Sequence, residues 1–223
     1  MVIIKKGPPP ERLIAFQRRE GAAYDSVDFP REDVYTALLK EQGGLCAYCM
    51  CRITAENIHI EHWVPQKGEF YADEYTQEEC DKLTIDFRNM LGVCPGGRGL
   101  PPSKTTCDTH RQNAHIVVNP QRQLAIDSLK YGRDGTISST DKQINDDISI
   151  TLNLNEITLC ADRKSAWNAC LDTLQKQRRT GTWTKAMIDK QIAHYEQADE
   201  NGNRPPYAGI VLFWLKKYRQ RAT

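Results

Sequence analysis

The sequence predicts an α+β protein, in which a cysteine-rich region with short strands precedes a mainly helical C-terminal part. Residues 45–120 are dense in Cys, His, Gly and Pro, and they contain two short apolar stretches, 58–60 and 90–93, that favour strands. From Ile157 onward, apolar residues recur at helical spacing. Because strands and helices occupy separate parts of the chain, α+β is the expected class.

We expect three regions along the chain. Residues 1–44 form an N-terminal extension, whose helix over 31–41 opens on Glu32 and Asp33 and stops at Gly43-Gly44. Residues 45–120 form the core with the strands, and residues 121–223 add a hairpin and helices that pack on it. The last region supplies the large apolar side chains that the Cys- and Gly-rich core lacks.

Smaller elements are predicted around the core and after it. A polar, acidic insertion over 68–88 holds a short helix near 76–83, and another helix falls around 106–115. Apolar residues at 124–126 and 136–137 flank a Gly/Asp-rich turn, which is typical of a hairpin, and the alternating apolar residues 148, 150, 152 and 154 favour a strand. Three helices complete the chain, over 157–178, 183–197 and 208–218.

Composition and charge are those of an ordinary globular protein. Hydrophobic residues make up 39% and charged residues 26% of 223 positions, and no apolar run is long enough to cross a bilayer. The first ten residues lack the apolar stretch of a secretory signal, so we expect a cytoplasmic protein with no membrane partner. The net charge of +1 argues against a strongly basic nucleic-acid binder, so such contacts would need local patches, bound metal or a partner's surface.

Eight cysteines indicate metal ligation rather than disulfides, because the cytosol is reducing. Cys46 and Cys49 are separated by two residues and can bind one ion from a tight turn. Cys94 follows an apolar strand, and Cys107 lies at the start of a predicted helix. Together the four thiolates fit a tetrahedral structural zinc site.

Other roles are open for some cysteines. The pair Cys46 and Cys49 could be redox-active, although the βαβ context of a thioredoxin-like motif is missing. Cys51 is close enough in sequence to compete as a zinc ligand. Cys160 and Cys170 fall at apolar positions of helices, where cysteine packs as a small hydrophobic residue.

Glu61 and His62 form a second informative pair, at the end of the first predicted strand. Side chains alternate along a strand, so these neighbours can reach different partners across one site. A carboxylate holds a hard divalent cation, and an imidazole can accept a proton from water near neutral pH. Phosphodiester hydrolysis uses both functions.

Four blocks of sequence occur in order between residues 46 and 111. They are the C-x-x-C motif at 46–49, the stretch Glu61-His62-Trp63-Val64-Pro65-Gln66, Asn89 ahead of the second strand, and Cys107-Asp108 at the start of a helix. Together they resemble the HNH endonucleases, a family with the ββα-metal fold. The resemblance implies hydrolysis of DNA by a zinc-stabilised ββα-metal core that also holds a catalytic Mg²⁺ or Mn²⁺.

The resemblance also implies a role for each matching residue. His62 would be the general base that activates water, and Glu61 would bind the catalytic cation. Asn89 would hold the loop that orients His62. Asp108 stands where the family more often has histidine, and it would be the second ligand of the cation.

Three further histidines lie near these residues. His110 is the substitute cation ligand if the register of the helix differs. His59, two residues before Glu61, is as well explained by a structural role, and His115 by an ordinary polar one.

A further set of features extends over most of the chain. It comprises the opening Ile3-Ile4-Lys5-Lys6-Gly7-Pro8, the Cys-Ala-Tyr-Cys motif, the stretch around Glu61-His62, the acidic insertion and the pair Cys107-Asp108. In these features the chain is similar to the PtuB family, the HNH proteins of Septu anti-phage systems, some of which occur beside retrons. The similarity implies a role in bacterial defence and a partner, a PtuA-like ATPase of the ABC/SMC type.

Two alternatives remain open. A stand-alone HNH nuclease of the restriction or homing type would cut purified DNA unaided. A zinc-stabilised binding or assembly module would have no catalytic activity, and it would not need the set of Glu61, His62, Asn89 and Asp108.

Overall fold

The computed structural model describes residues 1–66, 75–178 and 182–222, and within them nine α-helices accompany two small antiparallel sheets. The helices are α1 (Glu11–Gln17), α2 (Arg31–Gln42), α3 (Gln77–Thr84), α4 (Cys107–Arg111), α5 (Gln123–Asp127), α6 (Lys142–Asp146), α7 (Ile157–Gln177), α8 (Lys185–Glu196) and α9 (Ala208–Arg219). The strands are β1 (His59–His62), β2 (Met90–Val93), β3 (Leu129–Tyr131) and β4 (Ile137–Ser139). This mixture of helices and small sheets confirms the α+β class.

The first sheet joins β1 to β2, with His59 opposite Val93 and His62 opposite Met90. The bounds of β2 agree with the prediction, and all four of its residues are buried. Strand β1 begins one residue later than predicted, because the amide of Ile58 donates to Thr54 in the preceding turn, and it continues to His62. The sheet therefore ends at the Glu61-His62 pair.

Local sequence explains the helices that flank this sheet. Helix α2 ends where Gly43 adopts a left-handed conformation (φ 64°), as the glycine pair predicts. Helix α3 begins with a capping box between Thr76 and Glu79. The first part of the predicted insertion, residues 68–74, lies outside the described residues. Helix α4 is shorter than the predicted 106–115, because Gln112 has a positive φ of 55° that ends it.

The predicted hairpin is displaced along the chain. Residues 124–126 form helix α5, in which Leu124 is 86% exposed. The hairpin is formed by β3 and β4 instead. In β3 the buried Leu129 and Tyr131 flank the exposed Lys130, which is the alternation of a half-buried strand. The assignment of a strand to 124–126 was therefore wrong.

The predicted strand over residues 148–154 was also wrong. Residues Asp147–Thr151 form a π-helical turn that continues α6. Ile148 and Leu152 are fully buried, whereas Ile150 is 67% exposed. Burial four residues apart is the pattern of a helix, and the alternation in the sequence is coincidental.

The three C-terminal helices lie close to their predicted positions. Glu156 caps α7 and Thr184 caps α8 through side-chain oxygens that accept from backbone amides of the first turn. Helix α9 packs against α7 and α8 and also contacts the cysteine-rich region, where the amide of Gly209 donates to the sulfur of Met50 at 3.3 Å. A continuous apolar core thus joins the two parts of the chain. Within the described ranges, no helix combines the length and the apolar character that a membrane crossing requires.

Candidate metal and catalytic centres

Four buried cysteines lie close together and could hold a metal such as zinc. The sulfur atoms of Cys46, Cys49, Cys94 and Cys107 all lie within 4.8 Å of one another. The Sγ atoms of Cys46 and Cys107 are 3.8 Å apart, and those of Cys49 and Cys94 are 3.7 Å apart. A tetrahedron with Zn–S bonds of about 2.3 Å has edges of about 3.8 Å. The spacing of the thiols therefore suits a zinc ion at their centre.

Backbone hydrogen bonds fix the two pairs of thiols. The amide of Cys46 donates to Cys51, and the turn closes at Met50, which has a positive φ of 65°. Ala47 donates to Gly92 at 3.0 Å and so ties this turn to β2. The second pair is held by the loop between β2 and α4, where Thr106 donates to Gly96 at 2.9 Å.

The charges of the four thiols conflict with one another. The contact with Cys107 lowers the pKa of Cys94 to about 5, whereas the contact with Cys46 raises the pKa of Cys107. The pKa values of Cys46 and Cys94 are thus lowered by contacts with neighbouring thiols, while those of Cys49 and Cys107 are raised. A divalent cation between them would stabilise all of the thiolates, which is the chemistry that zinc supplies in such sites.

The other cysteines differ in their surroundings. Cys51 is not one of the four clustered thiols but lies next to them: its thiol contacts Cys46, Cys49 and Cys94, and its carbonyl accepts from the amide of Cys46. Cys170 is 1% exposed in the core, in agreement with the sequence prediction. Cys160 is only partly buried, and its thiol donates to the carbonyl of Asn155 at 3.5 Å, so it is not a core residue.

Glu61 and His62 lie at the end of β1 and are both buried, with exposed fractions of 5% and 4%. The alternation of the strand sends them to different partners, as expected. The carboxylate of Glu61 accepts from Arg111 Nη1 and, at 3.1 Å, from the hydroxyl of Tyr48. His62 instead lies against Tyr24, whose ring meets the imidazole edge-to-face at 4.7 Å.

Hydrogen bonds occupy both nitrogens of the His62 imidazole. Nε2 donates to the carbonyl oxygen of Thr84 at 2.8 Å, and Nδ1 accepts from the side-chain amide of Gln66 at 3.1 Å. Burial lowers the pKa of His62 to about 4, so the ring is neutral near pH 7. The atom that can accept a proton is therefore Nδ1, once Gln66 moves away.

Asp108 brings a second carboxyl group to Glu61. It occupies the first turn of α4, directly after the cysteine cluster residue Cys107. Burial raises the pKa of Glu61 to about 8, with Arg111 opposing the rise and a hydrogen-bond contact with Asp108 adding to it. Two neighbouring carboxyl groups form a favourable place for a cation, because a cation between them reduces the repulsion of their negative charges.

Asn89 connects the end of β1 to the start of β2. Its side-chain oxygen accepts from the amide of Val64 at 2.7 Å, and its side-chain nitrogen donates to the carbonyls of Val64 at 3.0 Å and Leu83 at 3.1 Å. Its own carbonyl accepts from Trp63 at 2.9 Å. Asn89 thus holds the segment that follows His62.

The three further histidines lie outside this group of contacts. The Nδ1 atom of His110 contacts Thr105 Oγ1 at 3.0 Å and the carbonyl oxygen of Pro102 at 3.1 Å. In the described part of the chain, no hydrogen bond joins His110 to Glu61 or Asp108. His59 opens β1 opposite Val93. His115 is exposed and lies near Asp147.

Arg111 is the site residue that sequence reasoning missed. Its side chain is 0% exposed and donates to Glu61, to the hydroxyl of Tyr48 at 3.2 Å, and to the backbone carbonyls of His62 at 3.0 Å and Trp63 at 2.7 Å. It therefore fastens the end of α4 to the end of β1. The signal in the sequence was its position three residues after Asp108, on the same side of the predicted helix.

No protein-family model matches this chain, and a search of the curated proteins finds no match.

Proposed function

We propose that this protein is a metal-dependent HNH endonuclease that hydrolyses phosphodiester bonds in DNA. The observation that carries the proposal is the placement of Glu61 and His62 at the end of β1, with Asp108 of α4 close enough to act on the pKa of both and the four clustered thiols adjoining Asp108 in sequence. A hard cation needs carboxylate ligands, and hydrolysis needs a neutral base near them. The zinc would belong to the cysteine cluster, and a separate Mg²⁺ or Mn²⁺ to Glu61 and Asp108.

In the proposed reaction, Glu61 and Asp108 would hold the cation, which would supply charge stabilisation for the phosphate and the leaving oxygen. Arg111 and Tyr48 both bind Oε1 of Glu61, which keeps the carboxylate fixed and leaves its other oxygen for binding. These contacts orient Glu61 before any substrate arrives.

His62 acts as the base through Nδ1. Gln66 first moves away from this nitrogen, and a water molecule takes its place. A proton passes from the water to Nδ1 while the water oxygen bonds to phosphorus and the bond from phosphorus to the leaving oxygen breaks. The carbonyl of Thr84 keeps its hydrogen bond from Nε2 throughout, and so stabilises the charged ring that forms.

Cleavage by paired histidine variants tests this proposal. His62→Ala should reduce nicking of a supercoiled plasmid in Mg²⁺ or Mn²⁺ by at least about 100-fold, because a positioned base contributes on the order of 10²–10⁴ to rate. His59→Ala is the matched control, because His59 lies three residues earlier on the same strand and has no hydrogen bond to Glu61 or Asp108 among the described residues. The His59→Ala variant should retain cleavage. Undiminished cleavage by His62→Ala would rule out the assignment.

The identity of the clustered metal is tested separately. Purified protein should contain about one zinc ion per chain, and Cys46→Ser should lose it, because three thiols and a hydroxyl bind zinc far more weakly than four thiolates. Well-folded protein without zinc would defeat this part of the proposal.

The proposed biological role is that of the nuclease effector in a Septu-type anti-phage complex with a PtuA-like ATPase. It is supported by the sequence resemblance, and a net charge of +1 suits a nuclease that relies on a partner to capture DNA. Co-purification with an ATPase encoded beside it is the expected result. Full activity as a monomer would instead favour the stand-alone nuclease.

One observation favours a non-catalytic module as the second candidate. The carboxylate of Glu61 is bound by Arg111, and both nitrogens of His62 are engaged. In such a module these groups would only stabilise the fold. His62→Ala would then lower the melting temperature while the wild-type protein showed no cleavage with any divalent metal.

A further inference from the structure

A cavity of about 700 Å³ opens beside α9, far along the chain from the candidate catalytic residues. We call it the α9 cavity. Its walls are residues 1–5, the C-terminal end of α2, the α5–β3 segment and the last turns of α9. Neither the four clustered cysteines nor Glu61, His62, Asn89 and Asp108 line it. Its volume is that of a typical small-molecule site.

Apolar side chains form part of the cavity wall. Leu129 and Leu212 are 4% and 7% exposed, and Ile126 and Phe213 are partly buried beside them. The ammonium group of Lys217 lies 4.4 Å from the ring centroid of Phe213. A flat or apolar group can therefore pack on this wall while a charged group reaches a cation next to it.

Cations outnumber acids around the cavity. Five basic side chains line it, namely Lys5, Lys40, Arg204, Lys216 and Lys217. Of the three carboxylates that line it, Glu41 is paired with Lys6 at 3.0 Å and Glu196 with Lys216 at 2.8 Å. Within the described residues, no carboxylate pairs with Lys5, Lys40 or Lys217.

Arg204 offers a donor that the protein leaves unused. Its Nε atom is buried and has no hydrogen-bond partner within the described residues, while its Nη2 donates to the carbonyl of Tyr195 at 3.2 Å. A buried N–H group without an acceptor costs free energy. Arg204 also lines the α9 cavity, so its positive charge adds to that of the lysines around it.

The neighbouring cavity shows that the excess of cations is local. This second cavity lies along α2 and shares Lys5, Lys40 and Glu41 with the α9 cavity. Its further cation, Arg12, is paired with Asp33 at 3.5 Å, and Glu32 adds another negative charge, so basic and acidic side chains are equal in number there. The anionic part of a ligand is therefore favoured only beside α9. A compact ligand fits this distribution better than a long acidic peptide.

We propose that the α9 cavity binds a nucleotide, either free or at the end of a single strand of nucleic acid. The base packs on the apolar wall beside Phe213, and the phosphates meet Lys40, Lys217 and Arg204. This site does not depend on the proposed nuclease activity, since the two share no residues.

Binding of two fluorescent probes, without added divalent metal, tests the proposal. The probes are an N-methylanthraniloyl derivative of ATP and a fluorescein-labelled oligothymidine, followed by fluorescence anisotropy. Lys40→Glu and Lys217→Glu should each weaken binding by about tenfold, a loss of about 1.4 kcal/mol. The matched control is Lys190→Glu, an exposed lysine of α8 outside the cavity, which should change binding by less than about twofold.

The outcomes separate the two sources of nucleotide. Saturable binding of the ATP derivative alone supports a free nucleotide, and binding of both probes supports a strand end. The proposal is overturned if neither probe saturates at about 1 mM, if Lys190→Glu weakens binding as much as Lys217→Glu, or if a polyglutamate peptide displaces the probes as well as ATP does. None of these measurements depends on cleavage.

Discussion

Replacement of Arg111 by methionine should destabilise this protein more than any surface substitution. Its guanidinium is 0% exposed and pairs with Glu61, whose side chain is 7% exposed. Breaking a buried ion pair from one side costs about 3–5 kcal/mol, because the remaining charge has no partner. The upper part of this range is expected here, since the backbone carbonyls of His62, Trp63 and Ala114 also lose their donor.

The loss is measured as a shift in the thermal midpoint of zinc-loaded protein. For a chain of this size, about 1 kcal/mol corresponds to about 2–4 °C, so a loss of about 4–5 kcal/mol in Arg111→Met should lower the midpoint by about 8–20 °C. Arg98→Met is the control, because Arg98 is exposed in the loop after Cys94, and it should shift the midpoint by less than about 2 °C.

A double variant identifies the cause of the loss. In Arg111→Met/Glu61→Gln no buried carboxyl group remains that must be protonated or left charged, so part of the stability should return. The loss in Arg111→Met alone should also grow as the pH rises above about 8, because Glu61 of the wild-type protein ionises near that pH, whereas without Arg111 its pKa is higher and its ionisation opposes folding. A loss below about 1 kcal/mol, or a double variant no more stable than the single one, would refute this account of Arg111.

Three further predictions concern other parts of the fold. Gly96→Ala should lower zinc affinity and the thermal midpoint, because its new methyl group would overlap the Thr106 carbonyl oxygen. The control Gly99→Ala is also at positive φ but in open space, so it should lose only about 1 kcal/mol of stability, the cost of the backbone conformation. Equal losses would contradict this. Asp147 accepts from two backbone amides, and burial raises its pKa above 3.8 in spite of His115 and Arg111 nearby, so its ionisation opposes folding. The stability of wild type relative to Asp147→Asn should therefore decline as the pH rises above 3.8 in urea unfolding, and a flat difference would count against it. Trp167→Ala should lower the free energy of unfolding by about 3–5 kcal/mol in the same assay, because this buried ring stacks on Trp214 and Tyr218. A decrease of less than about 1 kcal/mol would exclude such a packing role.

Elements with strong local signals could be predicted from the sequence. Strand β2 is a continuous apolar stretch, α2 ends at a glycine pair, and α9 carries its apolar residues at helical spacing. The spacing of the cysteines also predicted which four thiols meet. For β2, α2 and α9 the residues of one short segment determine the outcome, whereas the four thiols come from three segments and were predicted from the chemistry that zinc requires.

Elements that depend on distant contacts could not be predicted. Alternation from Ile148 to Leu154 fits a strand as well as a helix, and only packing shows that Ile150 faces solvent. The position of Arg111 three residues after Asp108 places it on the same side of α4, but its burial depends on Glu61, fifty positions away, and that contact could not be predicted from the sequence. The same is true of Tyr24, which meets His62 from the N-terminal extension.

The metal cluster and the candidate catalytic residues are joined through α4, which has only five residues. Its first residue, Cys107, belongs to the thiol cluster, the next is Asp108, and the last is Arg111. Thr109 Oγ1 also donates to Pro95 at 2.7 Å, in the loop that follows Cys94. Without an ion, the thiols repel one another once ionised, and the start of α4 would move away from Glu61.

For the proposed nuclease, removal of zinc should therefore reduce DNA cleavage even when Mg²⁺ is in excess. We expect a loss of at least about tenfold after treatment with a zinc chelator, because displacement of a positioned ligand by about 1 Å can cost on the order of 100-fold in rate. Added zinc should restore cleavage, and added Mg²⁺ should not. Cys80→Ser, at a buried cysteine of α3 outside the cluster, serves as the control and should keep both zinc and activity. If zinc-free protein keeps its near-UV circular dichroism and cleaves at the original rate, α4 does not couple the two centres.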